Sequence, residues 1–177
     1  MLDTLISSKT RLKLILKFFL NSNTKAYLRG LEEEFGESTN AIRLELNKFE
    51  EVGLLASESE GNKKLYQANR KHPFYKDLHQ ILLKFTGLDQ ILDRVVSRLG
   101  DLDEVYLVGK LSRGLESPII DLVFVGDIDK DYLHTLVVKT EELIQKKIKY
   151  VVFGLSEFNS LEQEILPKDH FLLWTKE

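Results

Sequence analysis

Two short runs of almost uninterrupted apolar residues, VYLVG at 105–109 and IIDLVFVG at 119–126, flank a polar, glycine-bearing segment of about ten residues. A strand with an exposed face alternates apolar and polar residues, and these runs have too few polar positions to alternate. Each is therefore expected to be a strand buried on both faces, with helices covering the sheet. The segments that follow alternate in kind: DYLHTLVVKTEELIQKK reads as a helix, IKYVVFG as a strand, SEFNSLEQEIL as a short helix, and HFLLWTK, after Pro167, as an edge strand or docking tail. This is the pattern of a mixed sheet with helices packed on it.

The rest of the chain must be something else, because 177 residues allow one medium domain or two small ones. With 43% hydrophobic residues, a packed core is expected. The absence of cysteine excludes disulfides, thiolate catalysis and sulfur-based zinc sites. His72, His79, His134 and His170 follow no metal-ligand spacing, so no metal site and no cofactor are expected. Lys13 and Lys17 interrupt the N-terminal apolar run, so it is too short to span a bilayer, and a cytoplasmic protein without a membrane partner is expected. Charge is uneven: residues 1–72 hold 12 Lys+Arg against 10 Asp+Glu, and residues 73–177 hold 13 against 18. Only the first part suits a polyanion, and mildly.

In that part Ser7 or Ser8 can cap a helix running to about Leu20, and LKLILKFFL is apolar on nearly every face. A helix buried on more than one side in so small a domain points to a subunit interface, hence a homodimer. TKAYLRGLEEEF has Tyr27, Leu28, Leu31 and Phe35 at helical spacing before Gly36, which suits a tight interhelical turn. Ser38 then caps TNAIRLELNKFEEVG, with Ile42, Leu46, Phe49 and Val52 inward and Thr39, Asn40, Arg43 and Asn47 outward. Beyond Gly53, LLASES and KKLYQAN bracket a Gly-Asn pair fit for a two-residue hairpin. Helix, helix, outward-facing polar helix and hairpin make a winged helix-turn-helix.

Residues 8–72, most of all TNAIRLELNKFEEVGLL and GNKKLYQAN, resemble the ArsR-type winged-helix regulators. The resemblance implies insertion of the helix beginning near Ser38 into the major groove of double-stranded DNA, with Thr39, Asn40, Arg43 and Asn47 beside the bases and Lys63 and Lys64 of the wing on the backbone. Without cysteines, the metal response of part of that family does not carry over. Winged helices also serve as protein-interaction modules, and Glu58 and Glu60 on the wing would repel phosphate.

A proline at 73 ends the wing, and PFYKDLHQILLKFTG reads as a helix with Phe74, Leu78, Ile81, Leu82 and Phe85 inward. LDQILDRVVSRLG follows as a second helix. Residues 73–100 are thus expected to form a helical linker between a winged-helix domain at 1–72 and a sheet domain at 101–177.

The segment between the apolar strands, Gly109-Lys-Leu-Ser-Arg-Gly114, with Asp121 on the second strand, resembles the minimal nucleotidyltransferases of the DNA polymerase beta superfamily. In that family glycines and a serine cradle a triphosphate, while carboxylates hold two divalent ions. Gly109, Arg113, Gly114 and Asp121 keep the pattern. Lys110 replaces the serine, Ser112 the alanine and Ile119 the first acid, and IKYVVFG offers no third acid. Asp121 is therefore read as a vestigial metal position, and the domain as nucleotidyltransferase-like but not an enzyme. Gly109, Lys110, Ser112, Arg113 and Gly114 remain suited to a phosphate, unless Arg113 pairs with Asp121 or Glu116 and only holds the fold. GDIDKDY mimics the start of a calcium loop, but Tyr132 and Val138 occupy its required positions, so one of its aspartates is expected to cap the next helix.

The expected protein is an α+β, dimeric, DNA-binding transcriptional regulator, with a small-molecule or nucleotide effector as a further partner. An active nucleotidyltransferase, such as the antitoxin component of a toxin-antitoxin pair, and a protein-interaction module are the alternatives.

Overall fold

The computed structural model describes residues 2–176, with side chains from residue 4 onward. Its backbone separates into two compact units, Met1–Phe85 and Thr86–Glu177. The segment expected as a separate linker, 73–100, is divided between them.

The first unit runs α1 (Leu2–Leu5), α2 (Lys9–Ile15) continuing as a π-helical segment (Leu16–Leu20), β1 (Lys25–Tyr27), α3 (Leu28–Phe35), α4 (Thr39–Glu51), β2 (Leu55–Glu60), β3 (Lys63–Ala68) and α5 (Tyr75–Thr86). Its three strands form an antiparallel sheet in the order β1-β3-β2. Ser8 caps α2 by accepting from the Arg11 amide at 3.2 Å, and Ser38 caps α4 by accepting from the Ala41 amide at the same distance. Each cap satisfies an amide that would otherwise lack an intrahelical acceptor, for about 1 kcal/mol.

The apolar helix at 9–20 is buried, but within a single chain. The Phe19 ring lies 6.1 Å from that of Tyr75 on α5, and the Phe19 carbonyl lies 2.8 Å from His79 Nδ1. The ground on which a homodimer was expected is thereby removed, because the chain covers this helix itself.

Three further expectations are corrected. Lys25–Tyr27 is a strand and not the first turn of a helix: Lys25 faces Gln67 and Tyr27 faces Leu65, so ladder bonds to β3 outweigh the helical spacing. Val52 caps α4 at its C-terminus and is exposed, although Ile42, Leu46 and Phe49 are buried as their spacing requires. On α5 the buried side runs through Leu82, Leu83 and Thr86, with Tyr75 and His79 turned toward Phe19; Phe74 and Ile81 are exposed. Of the expected stripe Leu82 is buried and Leu78 and Phe85 are half-buried, so only Phe74 and Ile81 depart from it.

The second unit runs α6 (Leu88–Arg94), a 3-10 turn (Val96–Arg98), β4 (Leu102–Val108), α7 (Gly109–Ser112), β5 (Ile119–Gly126), α8 (Lys130–Ile144), β6 (Lys147–Phe153), α9 (Leu155–Ile165) and β7 (Phe171–Thr175). The sheet order is β6-β5-β4-β7, with β5 and β6 parallel and the other pairs antiparallel. As its composition demands, β5 is buried on both faces: Ile120, Leu122 and Phe124 alternate with Val123 and Val125. The latter two join Tyr106, Phe158 of α9 and Leu166 in one apolar cluster. Asp129 caps α8, its Oδ1 accepting from the amides of Asp131 and Tyr132 at 2.9 and 3.0 Å, so GDIDKDY is a helix start. No helix among the described residues is long and apolar enough to cross a membrane.

Candidate functional site

In the first unit a groove of about 1130 Å³ opens between the start of α3, the outward side of α4 and the tip of the hairpin. Thr39, Arg43 and Asn47 reach it from α4, and Asn62, Lys63 and Lys64 from the hairpin. Arg29 and Tyr27 line it from the β1–α3 side, with Tyr66 from β3 and the acids Glu32 and Glu33 also in the wall. The helix period and the hairpin turn explain the convergence: residues 39, 43 and 47 fall on one edge of α4. Glu60 pairs with Lys63 across a turn of Gly61 and Asn62, which holds both lysines at the hairpin tip. Ser38 and Asn40 are exposed but lie outside this lining.

The cations of the groove are held to different degrees. Arg43 is exposed, and its Nη1 donates to Asn40 Oδ1 at 3.3 Å. Lys63 Nζ stands 5.9 Å from the centre of the Tyr27 ring. Lys64 is the most restrained, with Nζ 2.6 Å from Glu50 Oε2 and 5.4 Å from the Tyr66 ring centre. Lys64 and the Ser57 hydroxyl, which also donates to Glu50, hold the Glu50 carboxyl below the usual carboxylate range; the pairing raises Lys64 in turn. Glu60 on the wing is engaged by the Tyr27 hydroxyl, which is pushed up in consequence.

Other acids of the unit are met by cations of the helical stretch 9–20, an arrangement not visible in the local sequence. Arg11 grips Glu45 through two bonds, Nε to Oε2 at 2.8 Å and Nη2 to Oε1 at 3.2 Å. Lys13 reaches Glu37 at 2.8 Å and the Phe35 carbonyl at 3.0 Å, and Lys17, itself buried, reaches Glu34 at 2.7 Å. Arg11 and Lys13 hold Glu45 and Glu37 below their ordinary range. One signal could have exposed part of this. Glu45 sits in the inward phase of α4, beside Ile42, Leu46 and Phe49, and an acid there requires a cation.

In the second unit the glycine segment folds as expected between two strands, with chemistry narrower than its motif implies. Gly109 begins α7 at φ 76°, and a Cβ there would lie 2.4 Å from Asp121 Oδ2. Val108 and Asp121 are register partners, so the carboxylate is carried against the turn by the β4–β5 ladder. Ser112 is buried, and its hydroxyl donates to the Gly109 carbonyl at 2.8 Å and meets the Asp169 carbonyl. The hydroxyl is thus engaged by the backbone of its own turn and of Asp169. Lys110 is exposed and Arg113 half-buried; among the described residues neither forms an ion pair, so the alternative pairing of Arg113 with Asp121 or Glu116 is absent. On the neighbouring strand Lys149 is the register partner of Asp121, and Lys147 that of Ile119. These residues do not fit a pair of divalent ions: Ile119 offers no oxygen, and lysines stand where further acids would be needed. No cluster of three or more His, Asp or Glu suited to a metal occurs among the described residues.

No protein-family model and no curated protein matches the chain. Among solved structures, AF1382 from Archaeoglobus fulgidus is 16% identical, with 52% of this chain and 98% of that one covered at a TM-score of 0.38. A "putative nucleotidyltransferase" from Sulfolobus solfataricus is 26% identical, with 55% of this chain and 84% of that one covered at a TM-score of 0.35. Scores this low do not place the fold of either unit. The expectation that the chain is not an enzyme is withdrawn, because missing acids at Ile119 and on β6 bear only on a two-ion route through those positions.

Proposed function

We propose that the chain binds double-stranded DNA through its first unit, with α4 entering the major groove and the β2–β3 hairpin lying along the phosphate backbone. The observation that carries this reading is the groove in which Thr39, Arg43 and Asn47 of α4 meet Lys63 and Lys64 of the hairpin. The order α2, β1, α3, α4, β2, β3 in this unit supports the reading, since it suits the winged helix-turn-helix the sequence resembles. Electrostatics support it further: Glu34, Glu37 and Glu45 are met by cations of the helical stretch 9–20, while Arg29, Arg43 and Lys63 line the groove with Glu32 and Glu33 as its acids. In this reading the protein is a transcriptional regulator. A homodimer would set two α4 helices about 34 Å apart on a two-fold site. What supports a second copy is the exposed side of α5, with Phe74 and Ile81.

The test is selection of duplexes from a random library by the purified chain, followed by electrophoretic mobility shifts over a salt series. Wild type should enrich a motif and lose affinity steeply with salt, and Arg43→Ala should lose the motif. Equal, salt-independent binding by both proteins would end the DNA reading and favour a protein-interaction module.

A second reading concerns the glycine segment. Lys110 and Arg113, outside any ion pair among the described residues and set between left-handed turns at Gly109 and Gly114, suit a phosphate-bearing ligand such as a nucleotide effector or substrate. Titration with ATP, with and without magnesium, and a search for label transfer onto partner proteins address this directly. Loss of binding in Arg113→Ala would support it; no binding by wild type would remove it.

A further inference from the structure

The outward face of α4 carries one large apolar side chain among polar ones: Leu44, 61% exposed, one position after Arg43 and four after Asn40. Residues four apart on a helix are surface neighbours, so Asn40 and Leu44 form a pair beside the groove. The amide of Asn40 is oriented by its neighbour. Arg43 Nη1 donates to Asn40 Oδ1 at 3.3 Å, which turns the acceptor toward the guanidinium and leaves the amide Nδ2, a donor, without a hydrogen-bond partner among the described residues.

Base edges in the major groove differ in what they ask of such a pair. Adenine requires a partner that both donates and accepts and offers no methyl group to the leucine, and one of the two lone pairs of Asn40 Oδ1 is already taken by Arg43. Guanine presents two acceptors, which suit Arg43, and cytosine presents a donor. Thymine alone sets an acceptor, O4, next to a methyl group. We infer that Asn40 and Leu44 together read a thymine, Asn40 donating to O4 and Leu44 covering the 5-methyl group. This rests on the DNA reading above and adds to it a specificity-determining apolar contact.

The experiment takes the motif selected from the random library and replaces each thymine in turn by deoxyuridine, which lacks only the methyl group, and by 5-methylcytosine, which keeps the methyl but turns the acceptor into a donor. Binding is read by fluorescence anisotropy for wild type, Leu44→Ala and Leu44→Met. At one thymine position wild type should bind the deoxyuridine duplex about fourfold more weakly, the worth of one buried methyl group. The 5-methylcytosine duplex should also bind more weakly there. Leu44→Ala should bind thymine and deoxyuridine duplexes alike, and Leu44→Met should keep most of the difference. Leu44 is exposed, so neither substitution opens a core cavity, and circular dichroism checks the fold. Wild type that selects no duplex overturns this inference together with the DNA reading. Wild type that selects a motif but ignores the thymine methyl overturns this inference alone, as does Leu44→Ala that retains the wild-type ratio.

Discussion

Gly61 and Gly109 both have positive φ, at 63° and 76°, yet one turns in open space and the other against a wall. A Cβ on Gly61, at the hairpin tip of the first unit, would meet nothing within 4 Å, whereas one on Gly109 would strike the Asp121 carboxylate. The same contrast holds for polar side chains. In the first unit Arg43, Asn47 and Lys63 project from regular elements into an open groove. In the second, Ser112 is buried with its hydroxyl on backbone carbonyls, and the half-buried Asp121 stands where a side chain on Gly109 would have to go. A motif can therefore mark a surface that meets a partner or a junction that holds two strands, and the surroundings of its glycine tell which.

The largest expected effect follows from this. Gly109→Ala should lower stability by about 3 kcal/mol, combining left-handed strain with displacement of Asp121, and Gly61→Ala by only about 1 kcal/mol. Urea titrations followed by far-UV circular dichroism read both units, and Trp174, the sole tryptophan, on β7, reads the second. Adding Asp121→Ala should restore part of the Gly109→Ala loss, because the nearest remaining atom, Asp121 Cβ, stands 3.1 Å away. Equal costs at the two glycines would break the comparison.

Next in size is the split between the groove's cations. Arg43→Ala should cost about 2 kcal/mol on the selected motif and flatten the preference between sequences. Lys63→Ala should weaken binding to all duplexes evenly and reduce the salt slope by about one unit. If the two substitutions gave the same profile on matched and scrambled duplexes, α4 would have no privileged role over the wing.

Acid should separate the units as well. Arg11, Lys13 and Lys64 hold Glu45, Glu37 and Glu50 below their ordinary value of 4.5, and in the second unit Lys147 does the same for Glu141. A carboxyl whose folded value is depressed stabilises the fold fully above its unfolded value, and that contribution disappears as pH falls through the folded value. Loss should therefore begin below about pH 4.5 and weigh on the first unit, where three of these four acids lie. Urea midpoints between about pH 6 and pH 3 should fall less for Glu45→Gln than for wild type. An unchanged slope would mean that the Arg11–Glu45 pair contributes nothing to acid sensitivity.

The sequence made legible whatever depended on local periodicity or on a single conformational demand. The caps at Ser8, Ser38 and Asp129, the hairpin about Gly61 and Asn62, and the two-faced burial of β5 all fall where residue type and spacing place them. What depended on a distant partner was hidden. Lys25–Tyr27 became a strand because β3 was beside it, and His79 of α5 met the carbonyl of Phe19, 60 positions away. The groove-lining residues of α4 and the hairpin could be picked singly, but not the restraint of Lys64 by Glu50, fourteen positions away, nor the closeness of Asp121 to the Gly109 turn.

That restraint gives the smallest effect and the finest test of the comparison. Glu50 faces Lys64 at 2.6 Å, so in the free protein the lysine's charge is largely answered before any phosphate arrives. If the first unit binds DNA as proposed, the duplex competes with a carboxylate for the same ammonium group, and the carboxylate, left near the backbone, repels it. Glu50→Gln keeps a hydrogen-bonding side chain of the same shape but removes the charge, so Lys64 is released at little cost to packing. Affinity at low salt should rise about twofold, roughly 0.4 kcal/mol, with a slightly steeper salt slope, and Lys64→Ala should cost more in that background than in wild type. If Glu50→Gln weakened binding instead, the carboxylate would be positioning Lys64 for the duplex rather than withholding it, and the hairpin would resemble the second unit's turn in using an acid to build its site.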